Sequence, residues 1–452
     1  MTPSISMPTP YLLNFDRGSS AKGNQDIGLS MGRVNARHYK RLFMRSQFQR
    51  IALTAVLLMV FSIAGVKFVA AASGQSVSSK TEISLPFELV SNHIFMQGSV
   101  GQSGPLWFVL DTGDKFGVID LDKAKAFGLQ LQGQIPIGGA GSGLLKGSFV
   151  KEGSMTLKGL EDAPQKLSLA IPLAEMSQVL GHDFDGILGQ DFISQFVVEI
   201  DYITSRIVLH DKSKYIYSGQ GESIPITLNM AGHPQATGFI VESGRDPVEG
   251  TFALDIGYGG SIVVNRSFVE KNQLLPRTKK TITAIAGIGV GGESKALIGR
   301  VNAFKLGRVV IDNPVVSFSE DVQGAAAAMN VIGADILKKF KVFLDYGRNR
   351  IMLEPNSQFA DVIEYHKSGL FLRSNGSSDH REITVMSIID NSPASDTGIQ
   401  KGDTLVAIDG RPATEFTLSQ INEMLKQEKP FLLRLKRSEE LIEVKLKPRR
   451  LI

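Results

Sequence analysis

A short pattern that occurs twice limits the possible folds of this chain more than any other feature does. Residues 107–113 read WFVLDTG, and residues 251–257 read TFALDIG. Each copy is an apolar, β-prone run ending in Asp-x-Gly, which is typical of a buried strand followed by a tight turn. The same offset of 144 residues aligns further pairs downstream: Gly189 with Gly333, Asp191 with Asp335, Phe196 with Phe340, Asp201 with Asp345, and Arg206 with Arg350. Because the offset persists without a gap, we interpret the chain as containing an internal duplication.

The positive charge of the chain belongs to its N-terminal tail. Residues 1–72 contain nine Lys and Arg against two Asp and Glu, a net charge of +7, whereas the remaining residues sum to −3. A basic surface for nucleic acid is therefore not expected on the folded part, and nucleic acid is not expected as a partner. The sequence contains no Cys, which excludes disulfides, Cys–metal sites and thiol nucleophiles.

Two segments precede the duplicated region. Residues 1–50 are polar and basic without a sustained apolar period, so we expect a disordered tail. Residues 51–72 combine a basic flank, an apolar run and an Ala-x-Ala ending, which favours a signal peptide. An uncleaved membrane anchor formed by one hydrophobic helix fits the same residues. In either case the basic side stays in the cytoplasm and the rest of the chain is exported.

The two repeats, residues 73–215 (lobe 1) and residues 216–355 (lobe 2), predict similar all-β units. In both lobes, short β-prone runs alternate with Gly and Pro signals. Each Asp-x-Gly turn is followed by a short helix candidate, a Gly-rich tip, an apolar-apolar-Gly element, a second short helix and a hairpin. The first helix candidates are residues 120–129 and 266–272, and the tips are residues 138–143 and 286–292.

Two buried strand ends that each carry one carboxylate acquire a chemical use when a pseudo-twofold axis brings them together. When two carboxyl groups lie this close together, ionising both is costly, so the pair shares one proton. The charged member can act as general base on a water held between them, while the protonated member polarises a carbonyl group. This chemistry needs no metal and no cofactor, and the seven His residues lack ligand spacing. The sequence contains neither H-E-x-x-H nor G-x-S-x-G, which argues against a zinc protease or an α/β-hydrolase.

With these features the sequence resembles the aspartic proteases of the pepsin and retropepsin type. Both lobes contain Asp-x-Gly and, 78 residues after each Asp, the Gly of an apolar-apolar-Gly element, at residues 187–189 and 331–333. The lobe length and the Gly-rich tips, which lack the flap Tyr of pepsin, are closer to retropepsins, with both halves fused in one chain. The resemblance covers residues 79–355. It implies two β-barrel lobes and an aspartic endopeptidase that acts on polypeptides.

By this resemblance Asp111 and Asp255 are the catalytic pair. Gly113 and Gly257 permit the tight turns that present these carboxylates. Thr112 is expected to form a hydrogen bond across the pair to the opposite loop.

The sequence departs from the family pattern at three positions of these loops. Ile256 stands where the second lobe would carry its own Thr, so half of the cross-brace is missing. The residue after each turn Gly is usually small, yet it is Asp114 in lobe 1 and Tyr258 in lobe 2. Asp114 adds a third acid near the pair, which could raise the pH range over which the pair titrates. These departures keep an alternative open, namely a catalytically inactive scaffold that binds polypeptide and recruits partners.

The Gly-rich tips predict two flaps that close over substrate. Gly138 and Gly139 belong to the tip of lobe 1, and Gly287 and Gly289 belong to the tip of lobe 2. Residues 287–292 also fit the G-x-G-x-x-G pattern of dinucleotide sites. No helical pattern follows them, so we interpret them as a flap.

Residues 366–448 change character and are similar to a PDZ domain of the bacterial type. Gly369, Leu370 and Phe371 resemble the loop whose backbone N–H groups receive the C-terminal carboxylate of a peptide. A peptide would add as a strand between this segment and an amphipathic helix at residues 417–426. The resemblance implies protein C-terminal tails or loops as partners. The alternative is a module that only packs against the two lobes.

The sequence as a whole predicts a mostly β protein. It consists of two pseudo-symmetric aspartic-protease β-barrel lobes and a small α+β PDZ domain, preceded by one N-terminal hydrophobic helix. The predicted activity is that of an aspartic-type endopeptidase whose PDZ domain docks substrate or partner tails. We expect it on the exported side of a bacterial cell envelope, periplasmic or anchored in the inner membrane through an uncleaved N-terminal segment. A third alternative is a peptidase that processes itself near residues 66–78 and is released.

Overall fold

The computed structural model describes residues 82–141, 143–274, 280–319, 329–375 and 379–452. They belong to one compact unit, residues 78–452. The predicted mostly β class is confirmed, with 49% of residues in strands and 13% in helices. The predicted disordered tail and hydrophobic helix, residues 1–72, lie outside the described residues. Within the described ranges, no helix has the length and apolar character needed to cross a membrane.

Within its described residues, lobe 1 consists of strands and three short helices. Its strands are β1 (Glu82–Pro86), β2 (Glu88–Val90), β3 (His93–Ser99), β4 (Leu106–Leu110), β5 (Val118–Asp120), β6 (Gln130–Gly138), β7 (Leu144–Leu157), β8 (Leu160–Ile171), β9 (Gly186–Leu188), β10 (Val197–Asp201) and β11 (Arg206–His210). Its helices are α1 (Leu121–Ala126), α2 (Ala174–Leu180) and α3 (Gln190–Ile193). Helix α1 begins after Asp120 because that carboxylate accepts hydrogen bonds from the free N–H groups of Asp122 and Lys123.

Lobe 2 repeats this order with one interruption. Its strands are β12 (Glu222–Pro225), β13 (Thr227–Leu228), β14 (Pro234–Val241), β15 (Val248–Asp255), β16 (Ile262–Val264), β17 (Ile282–Gly289), β18 (Gly292–Arg300), β19 (Ala303–Leu306), β20 (Val309–Asp312), β21 (Val315–Ser319), β22 (Asn330–Gly333), β23 (Phe340–Asp345) and β24 (Arg350–Pro355). Its helices are α4 (Arg266–Asn272) and α5 (Ala334–Leu337), with a 3₁₀ turn at Tyr346–Arg348. Pro314 has no N–H to donate, and the hairpin that is continuous in lobe 1 as β7–β8 is broken beside it.

A six-stranded sheet joins the two lobes. Its order is β1-β11-β10-β23-β24-β12, so each lobe contributes three strands. The central strands β10 and β23 are antiparallel and place Glu199 opposite Phe343, which is the residue 144 positions further along the chain. A residue that pairs with its own counterpart marks a twofold axis, as in a symmetric dimer interface. The duplication read from the sequence is therefore also a spatial pseudo-twofold axis.

In each lobe the Asp-x-Gly turn follows a strand that pairs in parallel with the strand of the apolar-apolar-Gly element. Strand β4 runs parallel to β9, with Leu110 beside Leu188. Strand β15 runs parallel to β22, with Leu254 beside Ile332. Where they pair, these strands are mostly apolar and buried, as is usual for parallel strands covered on both faces. Each turn is therefore held at the carboxyl end of a rigid strand.

The C-terminal module has its own hydrophobic core. Its strands are β25 (Leu370–Ser374), β26 (Ile383–Ile388), β27 (Thr404–Ile408), β28 (Arg411–Pro412), β29 (Phe431–Arg437) and β30 (Glu440–Leu446), with a 3₁₀ turn at Ala413–Glu415. Its helices are α6 (Pro393–Asp396) and α7 (Leu418–Met424), and α7 starts at a capping box between Thr417 and Gln420. Helix α7 ends two residues before the predicted boundary. Strand β25 is at one edge of the sheet, next to β26.

Candidate active site

The two Asp-x-Gly turns meet at the pseudo-twofold axis. The carboxyl groups of Asp111 and Asp255 approach each other closely enough for each to change the pKa of the other. A Cβ atom built on Gly113 would stand 2.6 Å from Oδ2 of Asp255, and a Cβ on Gly257 would collide with the carboxyl group of Asp111. Glycine is therefore required at both positions for the carboxylates to approach, in addition to any role in the turn itself.

The surroundings of the pair favour a single shared proton. Burial, followed by the charge of Asp255, raises the pKa of Asp111 well above its usual range. Burial also raises the pKa of Asp255, but hydrogen bonds from Asp111 and from the backbone N–H groups of Gly257 and Tyr258 oppose this increase. Asp111 is therefore the better holder of the proton, and Asp255 is the better holder of the negative charge.

Thr112 connects the two loops. Its buried hydroxyl donates to the carbonyl of Leu254 at 2.7 Å and accepts from the N–H of Ile256 at 3.0 Å. The matching residue of lobe 2 is Ile256, which has no hydroxyl to form the reciprocal contact. Its side chain is only 1% exposed and packs in the apolar core. The brace is thus one-sided, and packing takes the place of the second half.

Asp114 lies beside the pair as a third acid. Burial, followed by the charge of Asp111, raises the pKa of Asp114 to about 6. Its Oδ1 accepts a hydrogen bond from the N–H of Phe116 at 3.1 Å. Near neutral pH the site therefore holds a further negative charge, which raises the pKa of Asp255.

Tyr258 connects the loop of lobe 2 to its flap. Its N–H donates to Oδ1 of Asp255 at 3.1 Å, and its hydroxyl donates to the carbonyl of Ala286 in β17 at 3.2 Å. Burial raises the pKa of Tyr258 to about 12, so the hydroxyl keeps its proton. Tyr258 thus contacts the carboxylate through its backbone and the flap through its side chain.

The two Gly-rich tips touch each other. The N–H of Gly141 donates to the carbonyl of Val290 at 3.0 Å, and the N–H of Gly143 donates to the carbonyl of Gly291 at 2.8 Å. The tips belong to the hairpins β6–β7 and β17–β18, in which Gly138 and Gly289 are the last residues of β6 and β17. Bare backbone allows the approach: a Cβ on Gly139 would stand 2.7 Å from Cβ of Val290, and a Cβ on Gly289 would stand 2.6 Å from Cβ of Ala140.

The dinucleotide interpretation of residues 287–292 does not fit this arrangement. Such a site needs a helix that opens directly after the glycines. Here Gly287 and Gly289 lie in β17, and Gly292 begins strand β18 instead of a helix.

An apolar cluster lies beside the flaps in lobe 1. We call it the flap-side cluster, and its buried members are Phe95, Val109, Val118, Ile171, Leu173, Leu180, Phe184 and Ile187. The half-buried side chains of Trp107, Ile137, Met176 and Val290 pack against it. It therefore brings together the strand that leads to Asp111, both flap hairpins and helix α2.

The sequence did not predict that two histidines lie close to the Asp-x-Gly turns of Asp111 and Asp255. His93 of lobe 1 contacts the backbone of Gly257, and His233 of lobe 2 contacts the backbone of Gly113. Burial lowers the pKa of both, which keeps the imidazole rings neutral. At the 144-residue offset His93 aligns with Thr237 and not with His233, so the alignment of the repeats does not pair the two histidines. Their spacing to the Asp-x-Gly turns would not have identified them either.

The predicted peptide loop of the C-terminal module precedes its edge strand. Gly369 has a φ of +82°, and a Cβ there would collide with the hydroxyl of Ser392. Leu370 and Phe371 follow as the first residues of β25, and the ring of Phe371 packs on His366. Among the described residues, no group of three or more acidic or His side chains is arranged to hold a metal ion.

Comparisons with known proteins agree with this architecture. Residues 96–192 match the family model described as aspartyl protease, and residues 362–436 match the model described as PDZ domain. The first match runs from β3 to α3 and includes Asp111, and the second includes Gly369 and helix α7. No curated protein matches the chain. The chain therefore carries an aspartyl-protease domain together with a C-terminal PDZ domain.

Proposed function

We propose that the protein is an aspartic endopeptidase whose catalytic groups are Asp111 and Asp255. The observation that supports this best is the close approach of these two carboxyl groups, one from each lobe: each lies against the turn glycine of the other lobe, Gly257 or Gly113. Burial and the charge of Asp255 raise the pKa of Asp111, which favours the proton there. A polypeptide would lie beneath the flaps, with its apolar side chains against the flap-side cluster.

In this mechanism the ionised Asp255 takes a proton from a water that the two acids hold. The oxygen of that water bonds to the carbonyl carbon of the peptide, and protonated Asp111 donates to the carbonyl oxygen. The tetrahedral intermediate collapses when a carboxyl group returns a proton to the amide nitrogen and the C–N bond breaks. The one-sided brace of Thr112 holds both loops in place during these transfers.

The PDZ domain would bind C-terminal tails or loops of substrates or partners. Such binding raises the effective concentration of a substrate at the cleft. The segment at residues 51–72 supports export, so we place the activity on the exported side of a bacterial cell envelope, with a membrane contact if the segment is retained.

Two observations favour a second function. Ile256 removes half of the cross-brace, and Asp114 adds a charge next to the pair. An inactive scaffold that binds polypeptide between its lobes and partners through its PDZ domain would tolerate both features.

A cleavage assay on the purified full-length protein separates the two functions. Denatured protein substrate is incubated across a range of pH, with and without pepstatin, and products are analysed by mass spectrometry. We expect pepstatin-sensitive cleavage that is lost in Asp111→Asn and in Asp255→Asn. Asp246→Asn is the matched control, because Asp246 is an exposed loop residue outside the site. Turnover that persists in either variant of the pair would disprove the dyad, and no cleavage at any pH would favour the scaffold.

A further inference from the structure

Helix α2 of lobe 1 lies against both walls of the PDZ groove. One wall is the edge strand β25, and the other is helix α7; α2 packs on β25. The Ser374 hydroxyl donates to the carbonyl of Gln178 at 3.1 Å. Gly181, which ends α2, is so close to α7 that an added Cβ would stand 2.6 Å from Cβ of Leu418. Leu418 is fully buried and also belongs to the hydrophobic core of the C-terminal module.

A third contact lies just beyond this one. Oδ1 of Asp183, in the turn after α2, is 3.0 Å from Nε2 of His380 in the PDZ domain. The other ring nitrogen of His380 is 3.1 Å from the hydroxyl of Ser374. A chain of polar contacts therefore runs from lobe 1 through His380 to the last residue of β25.

These contacts occupy one end of the groove. Ser374 is the last residue of β25 and Leu418 is the first residue of α7, so the two walls are antiparallel and their far ends meet at α2. Gly369 stands at the opposite end, next to Lys367, which pairs with Glu428 beyond the C-terminus of α7. A peptide strand that pairs with β25 would lie about 4.8 Å from it. The Ser374 end of that space is already held by α2.

The same helix also contacts the proteolytic site. Met176 and Leu180 pack in the flap-side cluster, together with Val290 from the flap tip of lobe 2. Helix α2 also packs on β17, the first strand of that flap. It is thus a short element with one side on the cleft and the other on the PDZ domain.

We propose that helix α2 and a peptide tail with a free C-terminal carboxylate compete for the PDZ groove, so that tail binding releases α2 and loosens the flap-side cluster. The partner is a tail with apolar side chains, because both walls supply apolar side chains to the module's core, Leu370 and Leu372 from β25 and Ile421 from α7. The consequence for cleavage rests on the proposed function, whereas the competition itself does not. In the docked state the apparent affinity for a tail is reduced by the fraction of molecules whose groove is free.

A substitution in lobe 1 can release α2 without changing the PDZ domain. Gly181 has a φ of +64°, a conformation that Asn tolerates at a helix end, so Gly181→Asn keeps the cap but drives a side chain into Leu418. The matched control is Gly128→Asn: Gly128 follows α1 at a φ of +70°, and an added Cβ there would meet nothing within 4 Å. Both substitutions are made in full-length Asp111→Asn protein, so that the probe is not cleaved.

The probes are short fluorescein-labelled peptides that end in Leu, Val, Ile or Phe, with free or amidated C-termini. Fluorescence anisotropy should show that free-carboxylate peptides bind Gly181→Asn at least about fivefold more tightly than Gly128→Asn. In protein without either Gly substitution, saturating peptide should speed hydrogen exchange of residues 174–183. Equal affinity in the two variants, unchanged exchange at residues 174–183, or failure of every peptide to bind Gly181→Asn would each overturn the proposal. Because no readout uses cleavage, an inactive wild-type protein would refute the proposed function alone.

Discussion

Replacement of Thr112 by Val tests the brace between the two lobes. Val has nearly the shape of Thr and fits the same buried space, so the change removes the hydroxyl and little else. That hydroxyl is the partner of two backbone groups in the other lobe, the carbonyl of Leu254 at 2.7 Å and the N–H of Ile256 at 3.0 Å. Both contacts are buried.

The expected cost follows from what the substitution leaves behind. A buried polar group without a partner costs roughly 1–3 kcal/mol. Two such groups remain after Thr112→Val, so we expect the free energy of unfolding to fall by about 2–6 kcal/mol. Since the brace also positions the turn that carries Asp255, kcat should fall while KM changes little.

Urea unfolding can be followed by the fluorescence of Trp107, the one Trp in the sequence, which lies in the strand leading to Asp111. Tyr202→Phe is the matched control in lobe 1. It also removes a buried hydroxyl, but one that has no hydrogen-bond partner within the described structure, so its stability should be unchanged or slightly higher. A loss below about 1 kcal/mol in Thr112→Val, or a loss equal to that of the control, would refute this reasoning.

Three further perturbations probe other parts of the site. Gly113→Ala places a Cβ 2.6 Å from Oδ2 of Asp255, so we expect the cleavage rate to fall at least about a hundredfold, and normal turnover would contradict the geometry. Asp114 has a pKa of about 6, raised from 3.8, so the folded state binds its proton more tightly and stability falls as pH rises from about 4 to about 6. Asp114→Asn should therefore gain about 3 kcal/mol over wild type in urea unfolding near neutral pH and little near pH 3.5, whereas equal gains at both would reject this linkage. Tyr258→Phe removes the hydrogen bond to Ala286, so hydrogen exchange in β17 should accelerate; exchange as slow as in Tyr202→Phe would exclude a latch on the flap.

Much of the fold follows from residues that are neighbours in the chain. Helix α4 has the predicted bounds because Asn265 caps its first turn. Helix α1 is shorter than predicted and ends at Ala126, since Gly128 turns the chain into the left-handed region. The break between β20 and β21, where Pro314 lies, was not predicted, because the offset of the repeats does not reveal where a Pro interrupts one copy.

The candidate site could be predicted in part. The sequence predicts which acids and glycines form the loops and that Ile256 leaves one brace missing. It does not predict that His93 and His233 cross to the opposite loop, because the two residues are out of step with the repeat. It also does not predict Tyr258 reaching the flap, which depends on how the β17 hairpin folds back over the loop.

The sequence by itself determined the duplicated strand-turn units, the carboxylate at the end of each, and the presence of a PDZ-like module. Those features depend on periodicity and turn chemistry over a few residues. Only the tertiary structure decided that the proton is favoured on Asp111 and that α2 packs against β25 and the start of α7 in the PDZ domain. Both outcomes depend on burial and contacts between distant segments, which the pairing of β10 with β23 and the docking of the PDZ domain bring together.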